Sequence, residues 1–208
     1  MLTVLFYLTR HDKIIIYSSL LFVLALLGSC HNTIQHRQWN SAVIDPTIPI
    51  NGVYKRLDKE KEVFSVFEKQ DSTAKRSSGV LYFTKGHVNL LDSSSARLNN
   101  CRTYFLNDDM LSINIGIGNG FGGWGFIVNY RDKKFYAEPY YSTDVIIPDE
   151  PKPVFNLVYQ NLTLDKPVYN VGDSLYGKVS FKSIETDHDG SKIDHSGEGY
   201  FRAVVTRR

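Results

Sequence analysis

Three stretches of this 208-residue chain carry side chains whose types and spacing can do chemistry. Gly172-Asp173-Ser174-Leu175 sets a hydroxyl just after a glycine, where a turn can lift it clear of the backbone for nucleophilic attack. Asp187, Asp189, Ser191 and Glu198 offer oxygen ligands at two-residue intervals and then one further on, the donor type a hard cation takes. Between residues 116 and 126, Gly116, Gly118, Gly120, Gly122, Gly123 and Gly125 interleave with Phe121, Trp124 and Phe126. Such spacing lets the backbone bend while rings project to stack on a sugar or fill a partner's groove.

Each stretch also has a plain structural reading. Gly172-Asp173-Ser174-Leu175 resembles the signature of the GDSL esterases, in which the serine is the nucleophile and an Asp-x-x-His near the C-terminus supplies the base. This sequence departs from that pattern. The tetrapeptide lies late in the chain, strict alternation follows it where the family has a strand-to-helix turn, and the residues three before His188 and His195 are Glu185 and Lys192. Read locally, residues 169–173 are a turn into a strand, with Gly172 supplying permissive angles and Asp173 capping the turn. Residues 187–198 resemble an EF-hand calcium loop at positions one, three, five and twelve, but Lys192 stands where the sharp turn wants glycine and its ammonium repels a cation. The flanks read as strands, so a solvated connection is the other reading, with Asp187, Asp189 and Glu198 the metal candidates. The rings of the third stretch can equally pack in a core at glycine-marked bends.

The two cysteines are Cys30 and Cys101. Arg10 and Lys13 precede a charge-free run, Ile14 to Leu27, which as a helix spans about 21 Å, short of a bilayer core near 30 Å and suited to the apolar region of a signal peptide. Leu27-Gly28-Ser29-Cys30 then follows: an aliphatic residue, two small ones and a cysteine. These residues resemble the lipobox of bacterial lipoproteins. The resemblance covers residues 1–30 only, and implies diacylglyceryl transfer to the Cys30 sulfur, cleavage before Cys30 and acylation of the new amino terminus. Two or three acyl chains, palmitate among them, give stable anchoring. His31 stands where an aspartate would resemble an inner-membrane retention signal, so the outer membrane is favoured. Cys101 is then a lone thiol in a strand-like setting and reads as a small buried hydrophobe.

Removing residues 1–29 leaves 179 and lowers the net charge from +2 to +1. Lys and Arg alternate with Asp and Glu instead of gathering on one face, which speaks against nucleic acid. Nothing in the pattern calls for a cofactor. Hydrophobic content of 42% with 22% charged residues is that of a chain that buries a normal core.

Residues 30–50 are polar and aperiodic and read as a flexible tether. Beyond them the pattern is strands and turns. Val80–Thr84 and His87–Leu91 flank Lys85-Gly86 as a hairpin. Cys101–Leu106 and Met110–Ile117 flank Asn107-Asp108-Asp109, and Gly125–Tyr130 and Phe135–Tyr141 flank residues 131–134. Leu175, Gly177, Val179 and Phe181 alternate with Tyr176, Lys178, Ser180 and Lys182, as in a half-buried strand. The proline-rich stretch 148–153 is the strongest interior break and a place where the 51–208 body can divide.

The expectation is an all-β chain, an antiparallel sandwich or barrel-like sheet following a signal helix and a tether. Its functional reading is a membrane-anchored envelope lipoprotein, held by lipid on Cys30, with a non-catalytic binding or structural body whose partner is carbohydrate or an envelope protein. An envelope hydrolase with an unrecognised site and a metal-dependent ligand-binding module are the alternatives.

Overall fold

The computed structural model describes residues 37–85, 95–107, 109–118, 120–144 and 152–207. The signal segment with Cys30, the second arm of the 80–91 hairpin and most of the 148–153 break lie outside the described residues. Among the described residues, no helix is long and apolar enough to cross a membrane.

The alternation read after Gly172 becomes β9, Ser174–Thr186, in which Leu175, Gly177, Val179 and Phe181 are buried and the residues between them are partly exposed. The two turn signals read at 107–109 and 131–134 hold as well. β4 (Asn100–Phe105) pairs antiparallel with β5 (Leu111–Gly118), and β6 (Gly122–Arg131) with β7 (Lys134–Thr143). The β6–β7 turn places both Asp132 and Lys133 at positive φ, the geometry of a type I′ hairpin turn. β8 (Val154–Leu164) pairs antiparallel with β9, and β9 with the long β10 (Lys192–Arg207). β3 (Leu81–Lys85) lies on the other side of β10.

Among the described residues the chain is all-β, with one short α-helix, α1 (Gly52–Leu57), and two single-turn 3-10 helices, Ile48–Ile50 and Ser95–Arg97. With β1 (Asn40–Ser41) and β2 (Val43–Ile44), the strands run β1-β7-β6-β5-β4-β10-β9-β8-β2 in one continuous sheet. The sheet is mixed, because β10 meets β4 in parallel at Val205–Arg207 and β2 meets β8 in parallel. It is not closed into a barrel. β10 belongs to both halves, pairing with β9 over residues 192–204 and with β4 over its last three.

The core lies between the halves. Ile113, Ile115, Phe126, Val128 and Phe135 of one half meet Leu162, Val179, Phe181 and Phe201 of the other, and the Phe126 and Phe181 rings are 4.5 Å apart. Full burial of a phenylalanine contributes about 1.5–3 kcal/mol, so the four phenylalanines sealed here carry much of the stability. Two of them are admitted by glycines directly across the β9–β10 ladder. Phe201 lies opposite Gly177 and Phe181 opposite Gly197. A Cβ on Gly177 would stand 2.3 Å from Phe201 Cζ, and one on Gly197 2.5 Å from Phe181 Cε1.

The tether reading is corrected over its described part. Residues 37–50 belong to the fold. Asn40–Ser41 pairs with the free edge of β7, and one residue later Val43–Ile44 pairs with the free edge of β8. Gln160 of β8, buried, locks the junction. Its Oε1 accepts from the Ala137 N–H of β7 at 2.7 Å, and its Nε2 donates to the Gln38 carbonyl at 2.8 Å. Two-residue strands are too short to show any period, so only their partners make them strands.

Candidate functional site

The three sequence-read stretches do not form the sites their spacing suggested. Trp124 and Phe126 are two apart on β6 and share a face, but that face is the inner one. Phe126 is fully buried and Trp124 packs against the core from its edge. Phe121 precedes β6 in its turn and is 74% exposed. The trio therefore makes no common binding surface.

The oxygen side chains of the acidic stretch are spread along a turn and a strand. Asp187 to Ser191 form a tight turn closed by Asp187 N–H to Ser191 carbonyl and Gly190 N–H to Asp187 carbonyl bonds. The Asp187 carboxylate accepts from the His188 N–H, and Asp189 accepts from the Ser191 N–H. Glu198 lies six residues into the extended β10, roughly 20 Å beyond Lys192 at strand rise. Strand flanks pull the ligands apart where helices would fold them back. No group of three or more His, Cys, Asp or Glu is placed to hold a metal among the described residues.

Ser174 opens β9 and is exposed, after a turn in which Gly172 has φ +92° and Asp173 accepts from the Asn170 N–H and pairs with Lys166 at 3.2 Å. Ser174 is opposite Val204, whereas His195 is opposite Ser183, nine residues along β9 and thus about 30 Å away. His188 lies further still, beyond the end of β9. Neither can serve Ser174 as a base. Cys101 is buried, and burial pushes its thiol up to about 12, so it behaves as the small hydrophobe its setting implied.

The groups that do meet were not paired in the sequence. His195 sits on the inward face of β10, with its Nδ1 2.9 Å from the Tyr82 hydroxyl of β3 and its Nε2 2.6 Å from a Glu185 carboxylate oxygen of β9. The Phe155 ring closes one side edge-on. Burial, and after it the nearby Glu185 carboxylate, hold the Tyr82 phenol well above its ordinary range, so it keeps its proton. Tyr82 then donates to Nδ1 of a neutral ring and accepts from Nδ1–H of a protonated one, while Nε2–H donates to Glu185 in both states. A carboxylate, an imidazole and a phenol in line can relay a proton. Here both ring nitrogens are engaged and His195 is 6% exposed, so the array pins β3, β9 and β10 together instead of presenting a base to a substrate.

A second array lies on the outer face of the other half. Arg102 of β4 donates through Nε to Glu68 at 2.6 Å and through Nη1 to Glu62 at 3.1 Å, and its guanidinium rests over the Phe64 ring. These partners come from residues 61–68, a stretch without regular structure apart from one bridge to Lys75, held to the sheet by Asn100 Nδ2 on the Val63 carbonyl and by Ser65 Oγ on the Gly118 N–H. Beside it, where β10 crosses from one half to the other, a cleft of about 460 Å³ opens. Glu62, Lys75, Arg102, Arg202, Tyr176 and the Ser174 hydroxyl line it. Its charges are mixed and its walls rich in hydroxyls, which suits a polar ligand that both donates and accepts hydrogen bonds.

One signal in the sequence pointed at the first array: His195 shares the inward parity of Gly197 and Phe201 on an alternating strand. Nothing local marks Glu62 or Glu68 as partners of a residue more than thirty positions on. Comparison with protein-family models, with curated proteins and with solved structures finds no match.

Proposed function

We propose that this chain is a lipid-anchored protein of the bacterial cell envelope whose β body acts by binding and not by catalysis. The observation that carries the anchor is Leu27-Gly28-Ser29-Cys30 directly after the charge-free Ile14–Leu27 run. The fit of fourteen charge-free, mostly apolar residues to a signal's apolar region, with small residues at the cleavage point, supports processing before Cys30. Acyl chains on Cys30 hold the mature protein at the membrane, the outer membrane being the favoured one.

The binding reading rests on the body's groups. Its candidate nucleophile stands about 30 Å from His195, the one described histidine set into the sheet, and its thiol is buried and protonated. What the surface offers is the mixed-charge, hydroxyl-lined cleft between β4 and β10, which fits a sugar or a polar segment of another envelope protein.

Metabolic labelling with a fatty-acid analogue tests the anchor. The wild-type chain takes up label and runs at the processed size, while Cys30→Ala gives an unlabelled, longer precursor. Equal labelling of the two proteins overturns the reading.

A further inference from the structure

Of the exposed aromatic side chains among the described residues, the three most exposed are Phe67 at 85%, Phe121 at 74% and Tyr141 at 63%, and all three lie at one end of the body. Val66, also exposed, joins them. The grouping is built by backbone contacts between separate segments. The Val66 N–H donates to the Gly118 carbonyl, a Cβ on Gly120 would lie 3.5 Å from the Phe67 ring, and the Asp144 N–H donates to the Phe121 carbonyl. Exposed rings gathered at one end mark an interaction surface.

The path of the chain says what that surface meets. β1 runs antiparallel to β7, with Ser41 opposite Lys134, Asn40 opposite Phe135 and Arg37 paired with Glu138 at 3.1 Å. Followed backward from Ser41 to Arg37, the chain moves along β7 toward Tyr141 and Thr143. The mature N-terminus therefore enters the fold from the aromatic end. Because residues 37–50 are folded, only residues 31–36 separate Cys30 from Arg37, a reach of about 25 Å at full extension. From Glu138 to the end of β7 is five residues, about 17 Å. To present the opposite end to the bilayer, the leash would have to double back about 20 Å to the Asp132–Lys133 turn, using nearly all its length. That opposite end exposes Val168 and Val171.

We infer that the end bearing Val66, Phe67, Phe121 and Tyr141 inserts into the headgroup and acyl boundary of the membrane that holds Cys30, an inference that rests on the lipid-anchor reading. Phenylalanine and valine side chains gain by leaving water there, and tyrosine keeps its hydroxyl at headgroup level. The body is then a docked domain with a fixed face to the lipid, and its cleft is held at a set height.

The test uses the full lipidated chain in phosphatidylethanolamine and phosphatidylglycerol vesicles whose acyl chains are brominated to quench tryptophan. Phe67→Trp and Phe121→Trp report on the proposed end and Val171→Trp on the opposite one, with the wild type supplying the Trp39 and Trp124 background. The added emission at positions 67 and 121 shifts to the blue and is quenched at least about twofold more than that at 171. Equal quenching at both ends, or none at 67 and 121 in a preparation whose Cys30 carries acyl label, overturns the insertion and leaves the anchor standing. Absence of acyl label overturns the anchor and the insertion with it. Emission at 67 and 121 that responds to protein concentration in detergent and not to brominated lipid assigns the surface to a second copy of the chain and overturns the insertion.

Discussion

His195 and Arg102 each stand between two partners, one inside the folded sheet and one on its outer face. His195 holds Tyr82 and Glu185, residues of three strands that approach one another in the interior. Arg102, with a side chain 36% exposed, holds Glu62 and Glu68, which come from an irregular covering segment. The carboxylates on the arginine have other donors: Glu62 accepts from the Val63 and Ser77 N–H groups, and Glu68 from the Ser65 N–H and from Asn100. The Tyr82 hydroxyl, on a residue 2% exposed, meets the imidazole where water has no access to replace it. An array whose phenol has one partner fails at one residue, whereas one whose carboxylates also accept from backbone donors degrades by degrees.

The largest effect is expected at His195. His195→Ala leaves a cavity and strips the partner from a buried phenol, lowering stability by about 2–4 kcal/mol, read as a fall in the urea midpoint at constant slope. A loss near zero would show that the array contributes nothing and break the contrast. Arg102→Ala should cost less, about 1–2 kcal/mol, because Glu62 and Glu68 keep their backbone donors. If it costs more than His195→Ala, the ranking of the two arrays is reversed.

Acid sharpens the same comparison. Burial would raise the Glu68 carboxyl, but the hydrogen bond from Arg102, the Ser65 N–H, the guanidinium charge and Asn100 outweigh it and hold the group below its ordinary value of 4.5. The unfolded carboxyl takes up its proton at the ordinary value, while the native one stays ionised to lower pH. The unfolded state thus binds more protons in that window, so stability is present above about pH 4.5 and is lost as pH falls through the native value. Glu68→Gln should flatten the acid limb of a stability profile taken from pH 6 down to pH 3, an unchanged limb being the contrary result. The smallest effect belongs to the exposed Arg131–Asp109 pair, whose side chains are 44% and 61% exposed. Asp109→Ala should leave the urea midpoint where it was, and a clear drop there would mean that surface pairing matters more in this protein than its exposure implies.

Parts of the architecture were open to reading residue by residue. The β4–β5 and β6–β7 hairpins follow from turn residues between alternating runs, and β9 from Leu175, Gly177, Val179 and Phe181. Those signals are local, since strand period and turn chemistry depend on neighbours two to four residues away. The polar composition of residues 37–50 hid two strands that exist only because β7 and β8 offer free edges. The aromatic trio was recognised as a group, yet one residue of offset at the start of β6 put Phe126 in the core and Phe121 in the turn.

By itself the sequence determined that the body is all-β, where the β4–β5 and β6–β7 hairpins turn, and that Cys101 is buried. Only the tertiary structure decided that β10 would be shared by both halves of one sheet and that Tyr82 and His195, 113 positions apart, would meet. It alone brought Phe67 beside the Phe121 turn and drew residues 40–44 into the sheet. The physical reason is the same in each case. A strand's own period tells which side chains face inward, but what they face is chosen by edge pairing and by packing across the core, interactions whose partners lie far away along the chain.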